Sequence, residues 1–444
     1  MSRKYFGTDG VRGRVGASPM TADFALRLAG AAARVLVPDG GTVVIGKDTR
    51  VSGYMFEAAL EAGFTAAGAD VLMLGPLPTP GVALITRLFE ADLGVMISAS
   101  HNPYDDNGIK FFDANGTKLS DETELRIEAL LQAPAVTRDS AELGRAKRID
   151  SARERYMEYC LGTVPNDLKL DGMKIVLDCS NGAAYKIGPR VLSALGANVI
   201  PIGCSPNGRN INDGCGSTQP QLLQQTVRGV GADLGIALDG DGDRVIMVDG
   251  EGEIVDGDRL IYIVAMGRHR EGTLKGPVVG TVMSNLGLER RLGELNIPFI
   301  RAKVGDRYVM DELRRNDGLI GGESSGHIIC LDRSTTGDGL VSALPLLQII
   351  RETGKPLREL ASDMPLYPQV LLNVRVAERV DVDSIEAVRS AREALESELG
   401  ERGRIVLRAS GTEPVIRVMV EGIDAEQIQD AAERLAGVVK AAAA

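Results

Sequence analysis

The sequence predicts an α/β protein: three related α/β units with mixed, largely parallel sheets, then a small C-terminal α+β domain. Three observations predict it. Strand-like and helix-like patterns alternate through most of the 444 residues, as they do in sheets covered on both faces by helices. A segment recurs: ADLGVMIS at 91–98 returns as ADLGIALD at 232–239, with a looser copy, DGLIGGES, at 317–324. Beyond residue 366 the pattern changes to alternating strands beside two helices.

Taken in order, Thr21 is a natural N-cap for a helix that places Phe24, Leu28 and Val35 on one face. Residues 43–45 form a short apolar strand ended by Gly46, and Phe56, Leu60 and Phe64 at spacings of four mark the next helix. The theme restarts with a strand at 174–178, a turn at Ser180-Asn181-Gly182 and a helix, and again at 277–282. Each copy of the recurring segment is a buried strand running into a polar loop. Ser100 and Asp241 fall at matching places, with Ser325 near the corresponding end of the third copy. Ligands of open α/β sheets bind at the carboxyl ends of strands. In the last part, Leu372, Val374 and Val376 alternate with Asn373 and Arg375. A helix with Ile385, Val388 and Leu395, strands near 404–408 and 415–420, and a helix from about Ala425 follow. Residues 364–368 read as the linker to this domain.

Bulk properties bound the function. The net charge of −11 disfavours nucleic acid as a general partner but leaves room for a small phosphorylated ligand in a local basic pocket. The five cysteines, Cys160, Cys179, Cys204, Cys215 and Cys330, are odd in number and show no C-x-x-C spacing. That argues against a disulfide framework or a zinc site and for a reducing compartment. The start, MSRKYFGTDG, has no signal-peptide core, and no apolar run approaches membrane-spanning length. A soluble cytoplasmic protein without a membrane partner is expected.

Four loops carry candidate chemistry. Ser98-Ala99-Ser100-His101-Asn102-Pro103, ten residues ahead of Lys110, offers a serine nucleophile at a strand end, although serine-rich loops are commonly plain turns. Asp239-Gly240-Asp241-Gly242-Asp243-Arg244 alternates three carboxylates with two glycines. Converging carboxylates repel unless a hard cation such as Mg²⁺, Mn²⁺ or Ca²⁺ joins them; the alternative is a solvated acidic turn. The spacing is not that of an EF-hand, because Gly250 stands where its bidentate glutamate belongs. Gly322-Glu323-Ser324-Ser325-Gly326-His327 supplies partners for sugar hydroxyls and one of only three histidines. Arg408-Ala409-Ser410-Gly411-Thr412-Glu413-Pro414 with Arg417 reads both as a hairpin turn and as a phosphate clamp of N–H donors, hydroxyls and guanidinium forks.

These loops, in this order, resemble the α-D-phosphohexomutase family, and Tyr5 to Gly13 (YFGTDGVRG) resembles its opening motif. The resemblance implies four domains around a central cleft, here 1–150, 151–255, 256–366 and 367–444. Within the family, SASHNPYDDNGIKFF, Asn210 to Thr218, and RASGTEPVIRVMVE resemble the bacterial branch that interconverts glucosamine 6-phosphate and glucosamine 1-phosphate for cell-wall precursors. Three positions depart from common family patterns: Ala409 for proline, Gln219 for histidine, and Asp306, after Gly305, for a histidine.

The resemblance also implies roles. Ser100 would carry a phosphoryl group and, with Asp239, Asp241 and Asp243, hold Mg²⁺. Lys110 and Arg244 would stabilise transferring charge, and Lys110 would shuttle protons if neighbouring cations lowered its pKa. His327 is the second acid/base candidate; Arg12, Arg50 and His101 would support the phosphoserine. Glu323 and Ser325 would bind the sugar. Arg408, Ser410, Gly411, Thr412 and Arg417 would hold the idle phosphate. A bisphosphorylated hexosamine would be the intermediate and primer, and a movable fourth domain would let it turn over. The rivals are a glucose- or mannose-phosphate mutase of the same family, a metal-dependent phosphatase with an aspartate nucleophile, and a non-catalytic sugar-phosphate sensor. A homodimer is compatible with the sequence, though no residue in it calls for one.

Overall fold

A computed structural model describes residues 3–134, 136–376, 384–409 and 415–442. The first unit runs β1 (Val11–Arg14), α1 (Ala22–Leu36), β2 (Gly41–Lys47), α2 (Ser52–Ala66), β3 (Ala69–Pro76), α3 (Thr79–Leu88), β4 (Leu93–Ile97), β5 (Asp106–Asp113), α4 (Asp121–Leu130) and β6 (Ala146–Arg148). The second runs α5 (Ala152–Gly162), β7 (Lys174–Asp178), α6 (Ile187–Ala194), β8 (Asn198–Ile202), α7 (Gln221–Val230), β9 (Leu234–Leu238), β10 (Val245–Asp249) and β11 (Ile254–Val255). The third runs α8 (Gly257–Glu271), β12 (Val278–Thr281), α9 (Leu286–Glu294), β13 (Phe299–Ala302), α10 (Asp306–Arg315), β14 (Ile320–Gly322), β15 (Ile328–Cys330), α11 (Gly339–Thr353) and α12 (Leu357–Ser362). The last comprises β16 (Gln369–Arg375), α13 (Glu386–Leu399), β17 (Gly403–Ala409), β18 (Val415–Gly422) and α14 (Ala425–Ala442).

The sequence repeat becomes a topological repeat. In each of the first three sheets a central strand (β2, β7, β12) is flanked in parallel by two others (β3 and β4, β8 and β9, β13 and β14). The third of these strands then turns into an antiparallel neighbour: β4 into β5, β9 into β10, β14 into β15. Residues 91–98, 232–239 and 317–324 thus fall on the same strand of the unit, and the three polar loops are its turns. β4 and β9 are buried along their whole lengths, which explains their unbroken apolar sequences.

The helices form as their periodicity predicts. Thr21 caps α1 by accepting a hydrogen bond from Phe24 N, and Phe56, Leu60 and Phe64 are fully buried on α2. Burying each such side chain contributes about 1.5–3 kcal/mol. One apolar core is continuous through the first three units, taking in Leu77, Tyr156, Ile175, Leu238, Leu340 and Met364. The fourth domain has its own core, built from Val388, Leu395, Ile416, Val418, Ile428 and Leu435, under an antiparallel sheet ordered β16-β18-β17.

The junction of the fourth domain with the third is polar. Glu421, fully buried, accepts from Leu286 N at the start of α9 (2.8 Å) and from Arg404 Nε (2.7 Å). Arg404 donates onward to the carbonyls of Val282 (2.8 Å) and Ser284 (2.6 Å). The 364–368 stretch is itself pinned, since Tyr367 exchanges two 3.0 Å bonds with the side chain of Asn285. Among the described residues no helix is long and apolar enough to cross a membrane.

Candidate active site

The turn after β4 holds Ser100 in a left-handed conformation, φ +54°. A non-glycine residue adopts this at a cost of about 1–2 kcal/mol, so the surroundings must impose it. Ser98 Oγ accepts from Ser100 N (2.9 Å) and donates to Asp48 (2.6 Å). The fully buried Arg50 pairs with Asp48 and reaches the carbonyls of Ser100 and Asn102. The strained turn aims the Ser100 hydroxyl across the unit boundary, where it donates to Asp239 at 2.6 Å.

The turn after β9 gathers Asp239, Asp241 and Asp243, all buried, with oxygens that lie within 4.8 Å of one another. Burial, then Asp243 and Asp241, push Asp239 well above the carboxylate range. Oδ1 of Asp241 and Oδ1 of Asp243 are buried with no hydrogen-bond partner among the described residues. Close, repelling, under-satisfied oxygens are what a hard divalent cation joins, and the three residues are able to hold one.

Proton shuttling by Lys110, on β5, was conditional on neighbouring cations lowering its pKa, and its neighbours are carboxylates. Its ammonium lies 2.8 Å from Asp241, 2.8 Å from Asp9 and 3.3 Å from Asp243. Burial pulls the pKa down, but these three carboxylates outweigh it and hold the pKa well above the ordinary lysine value. Arg12, which pairs with Asp9 at 3.3 Å, acts the other way.

His101 Nδ1 lies 3.5 Å from Ser100 Oγ. Burial and then the cations Arg244 and Arg12 hold it at about 4, so at neutral pH its imidazole is uncharged. Arg244 N donates to Asp239 (3.2 Å), while its buried Nε lies 3.9 Å from Asp243 and has no hydrogen-bond partner among the described residues.

The turn after β14 places Glu323, whose Oε1 accepts from Gly305 N at 2.9 Å. Ser325 is exposed and reaches Glu323 at 3.4 Å. His327 is buried, its Nε2 3.5 Å from Asp306 and 3.8 Å from Asp243. A cleft of about 600 Å³ is lined by Arg12, Asp243, Arg244, Glu323 and His327. It is also lined by Asp9, Lys118 and Asp306, which the motif reading passed over as site residues. Lys118 bridges Asp9 and Asp306 at 2.5 Å each, tying the first unit to the third. Asp9 was visible in the opening motif, whereas nothing local marked Lys118.

On the fourth domain Arg408 and Arg417 face each other across the β17–β18 ladder. Burial and then Arg417 pull Arg408 below the ordinary arginine value, while Glu323 of the sugar loop pulls it back up. Arg408 Nε is buried and unpartnered among the described residues. The expected ligands Ser410, Gly411 and Thr412 lie outside the described residues.

Four domain models match in order: the phosphoglucomutase/phosphomannomutase α/β/α domain I at residues 3–137, domain II at 154–252, domain III at 256–367 and the C-terminal domain at 371–438. A phosphoglucosamine mutase of Methylobacillus flagellatus is 57% identical, the match covering 100% of both chains. The crystal structure of a phosphoglucomutase/phosphomannomutase family protein from Burkholderia thailandensis aligns with a TM-score of 0.82 at 24% identity, covering 100% of this chain and 98% of that one. An Aspergillus fumigatus N-acetylphosphoglucosamine mutase, solved with GlcNAc-6P and magnesium, aligns at 0.72 and 20% identity, covering 100% of this chain and 96% of that one.

Proposed function

The chain belongs to the phosphoglucomutase/phosphomannomutase family, and from that premise we propose that it interconverts glucosamine 6-phosphate and glucosamine 1-phosphate. It would do so as an intramolecular phosphotransferase, through a phosphorylated Ser100. The observation that carries the reading is the strained Ser100, its hydroxyl 2.6 Å from a buried carboxylate triad. The choice of amino sugar rests on the full-length relatives that bear that name.

Asp239, Asp241, Asp243 and the Ser100 phosphate would hold Mg²⁺, which when bound neutralises and orients the transferring group. Lys110, kept charged by its carboxylates, contributes positive charge beside the phosphoryl oxygens, as does Arg244. His327, buried at the cleft wall, is our candidate to take the proton as O1 or O6 of the sugar attacks phosphorus and the bond to Ser100 Oγ breaks. The neutral His101 and Arg12 flank the phosphoserine. Glu323 and Ser325 bind sugar hydroxyls. Arg408 and Arg417, with Ser410, Gly411 and Thr412, hold the phosphate that is not reacting. The bisphosphorylated hexosamine then reverses its orientation and returns its other phosphate to Ser100. The fourth domain's separate core and polar junction suit it to move as one body while the cleft excludes water.

The test compares kcat/KM for glucosamine 6-phosphate, glucose 6-phosphate and mannose 6-phosphate, with Mg²⁺ and a bisphosphate primer, in wild type and Ser100→Ala. A strong amino-sugar preference abolished by Ser100→Ala supports the reading. Preference for glucose or mannose overturns the substrate assignment, and normal turnover by Ser100→Ala overturns the phosphoserine.

A further inference from the structure

The forces holding Ser100 in its left-handed conformation do not all come from its own unit. Ser98, Asp48 and Arg50 belong to the first. A further backbone partner is Asn212, in the second unit between β8 and α7. Its side-chain Nδ2 donates to the carbonyl of Ser100 at 2.9 Å and to that of Asn102 at 3.0 Å. Both amide hydrogens are thereby used on the two carbonyls that bracket the His101 peptide.

Asn212 is itself firmly placed. It is 5% exposed and sits at φ +58°, a conformation asparagine tolerates better than most residues. Its N–H donates to Ser180 O (2.9 Å) and its carbonyl accepts from Gln219 Nε2 (3.2 Å). Gly240, between the first two aspartates of the triad, packs on this same spot. A Cβ at Gly240 would lie 2.5 Å from Ser100 O and 2.8 Å from Asn212 Nδ2. The amide therefore sits where the serine turn and the carboxylate turn touch, and its two bonds fix one against the other.

We propose that Asn212 is a positioning residue for phosphoryl transfer: its side-chain amide clamps the Ser100 and Asn102 carbonyls so that Ser100 Oγ is held in register with the Asp239–Asp243 turn. This rests on the reading of Ser100 as the phosphoryl carrier. Arg50 ties the backbone of the serine turn to its own unit. Asn212 ties that backbone to the unit carrying the triad, independently of the Ser100 hydroxyl that meets Asp239. Misplacing a reacting atom by about 1 Å costs on the order of 10²-fold in rate, so the clamp acts on kcat rather than on sugar binding.

The experiment uses the full-length enzyme. Wild type is first incubated with glucose 1,6-bisphosphate and Mg²⁺, and intact mass is followed for phosphate on Ser100. Absence of phosphate there overturns the functional reading and the clamp with it. Asn212→Ala and Asn212→Asp are then compared with wild type. Asn212→Asp fills the same space but turns a carboxylate oxygen toward the two carbonyls in place of the donor. Both variants are expected to lose about 30- to 100-fold in kcat and in the loading rate of Ser100. KM for glucosamine 6-phosphate, Mn²⁺ affinity and melting temperature should stay close to wild type. If Asn212→Asp loads and turns over like wild type, the side chain only fills space and the clamp is overturned. Loss of Mn²⁺ binding and folding in step with kcat, in both variants, overturns it equally, as general damage. Wild-type loading beside unimpaired variants refutes the clamp and leaves the phosphoserine standing.

Discussion

Arg417→Gln separates binding from stability, because the two should move in opposite directions. Arg408 and Arg417 are directly opposed on neighbouring antiparallel strands, and like charges so placed cost roughly 0.2–1 kcal/mol. Burial is the larger cause of the depression of Arg408 below its ordinary value, and the part that comes from Arg417 is the same repulsion seen from one partner. A phosphate dianion between them reverses the sign. Each charge-assisted bond then contributes about 1.5–3 kcal/mol. Removing the Arg417 charge should raise KM for glucosamine 6-phosphate by roughly 10- to 150-fold, at 1.4 kcal/mol per decade. kcat should change much less, because the clamp holds the idle phosphate alike in ground and transition states. The fourth domain should be as stable as before or more so, by up to about 1 kcal/mol. Steady-state kinetics and denaturant melts of the same preparation read both quantities. An unchanged KM removes Arg417 from the clamp, and a destabilised domain with unchanged KM shows that the pair is structural.

Asp241→Asn should lower Mn²⁺ affinity at least tenfold, roughly, since even outer partners of metal ligands cost that much; titration calorimetry showing undiminished binding refutes the triad as the cation site. Asp338 caps α11, and burial pushes its carboxyl up to about 7. The unfolded carboxyl ionises near 3.9, so stability falls as pH rises from about 4 to about 7 and then levels. Asp338→Asn keeps a cap oxygen and removes this loss, gaining as much as about 4 kcal/mol at pH 8 and nothing at pH 4; parallel stability curves for the two proteins across that range contradict the assignment. Glu421→Ala removes the acceptor shared by Leu286 N and Arg404 and should let the fourth domain melt separately at lower temperature; a single unshifted calorimetric transition counts against the polar junction as what couples it.

Much of this fold was legible because its signals are local. The apolar runs at 93–97 and 234–238 are buried on both faces, and a strand buried that way has little choice of composition. The recurrence of those runs reported a recurring topology, with the polar residues after them necessarily at the strand ends. The three aspartates were legible for the same reason: five residues of one turn, with glycines between, can converge without help from elsewhere in the chain.

What was not legible depends on contacts between units. Lys110 could be read as a cation in a basic site, but its state is decided by Asp9, Asp241 and Asp243, all of which lie more than a hundred residues away. Lys118, Asp306 and Asn212 likewise take their significance from partners in other units. The residues most exposed to this blindness are those at the seams, and the site is all seam: Ser100 meets Asp239 across one boundary, Lys118 meets Asp306 across another, and the charge of Glu323 acts on Arg408 across a third. A site divided among four bodies has a cost, since each boundary must be held in register by its own contacts. It also has a use. The boundaries buried in the common apolar core keep the serine and the triad fixed, while the one closed by Glu421 and Arg404 joins a domain with a core of its own. On the proposed reading, rigid chemistry and a movable phosphate grip would follow from this difference between the common core and the separate one.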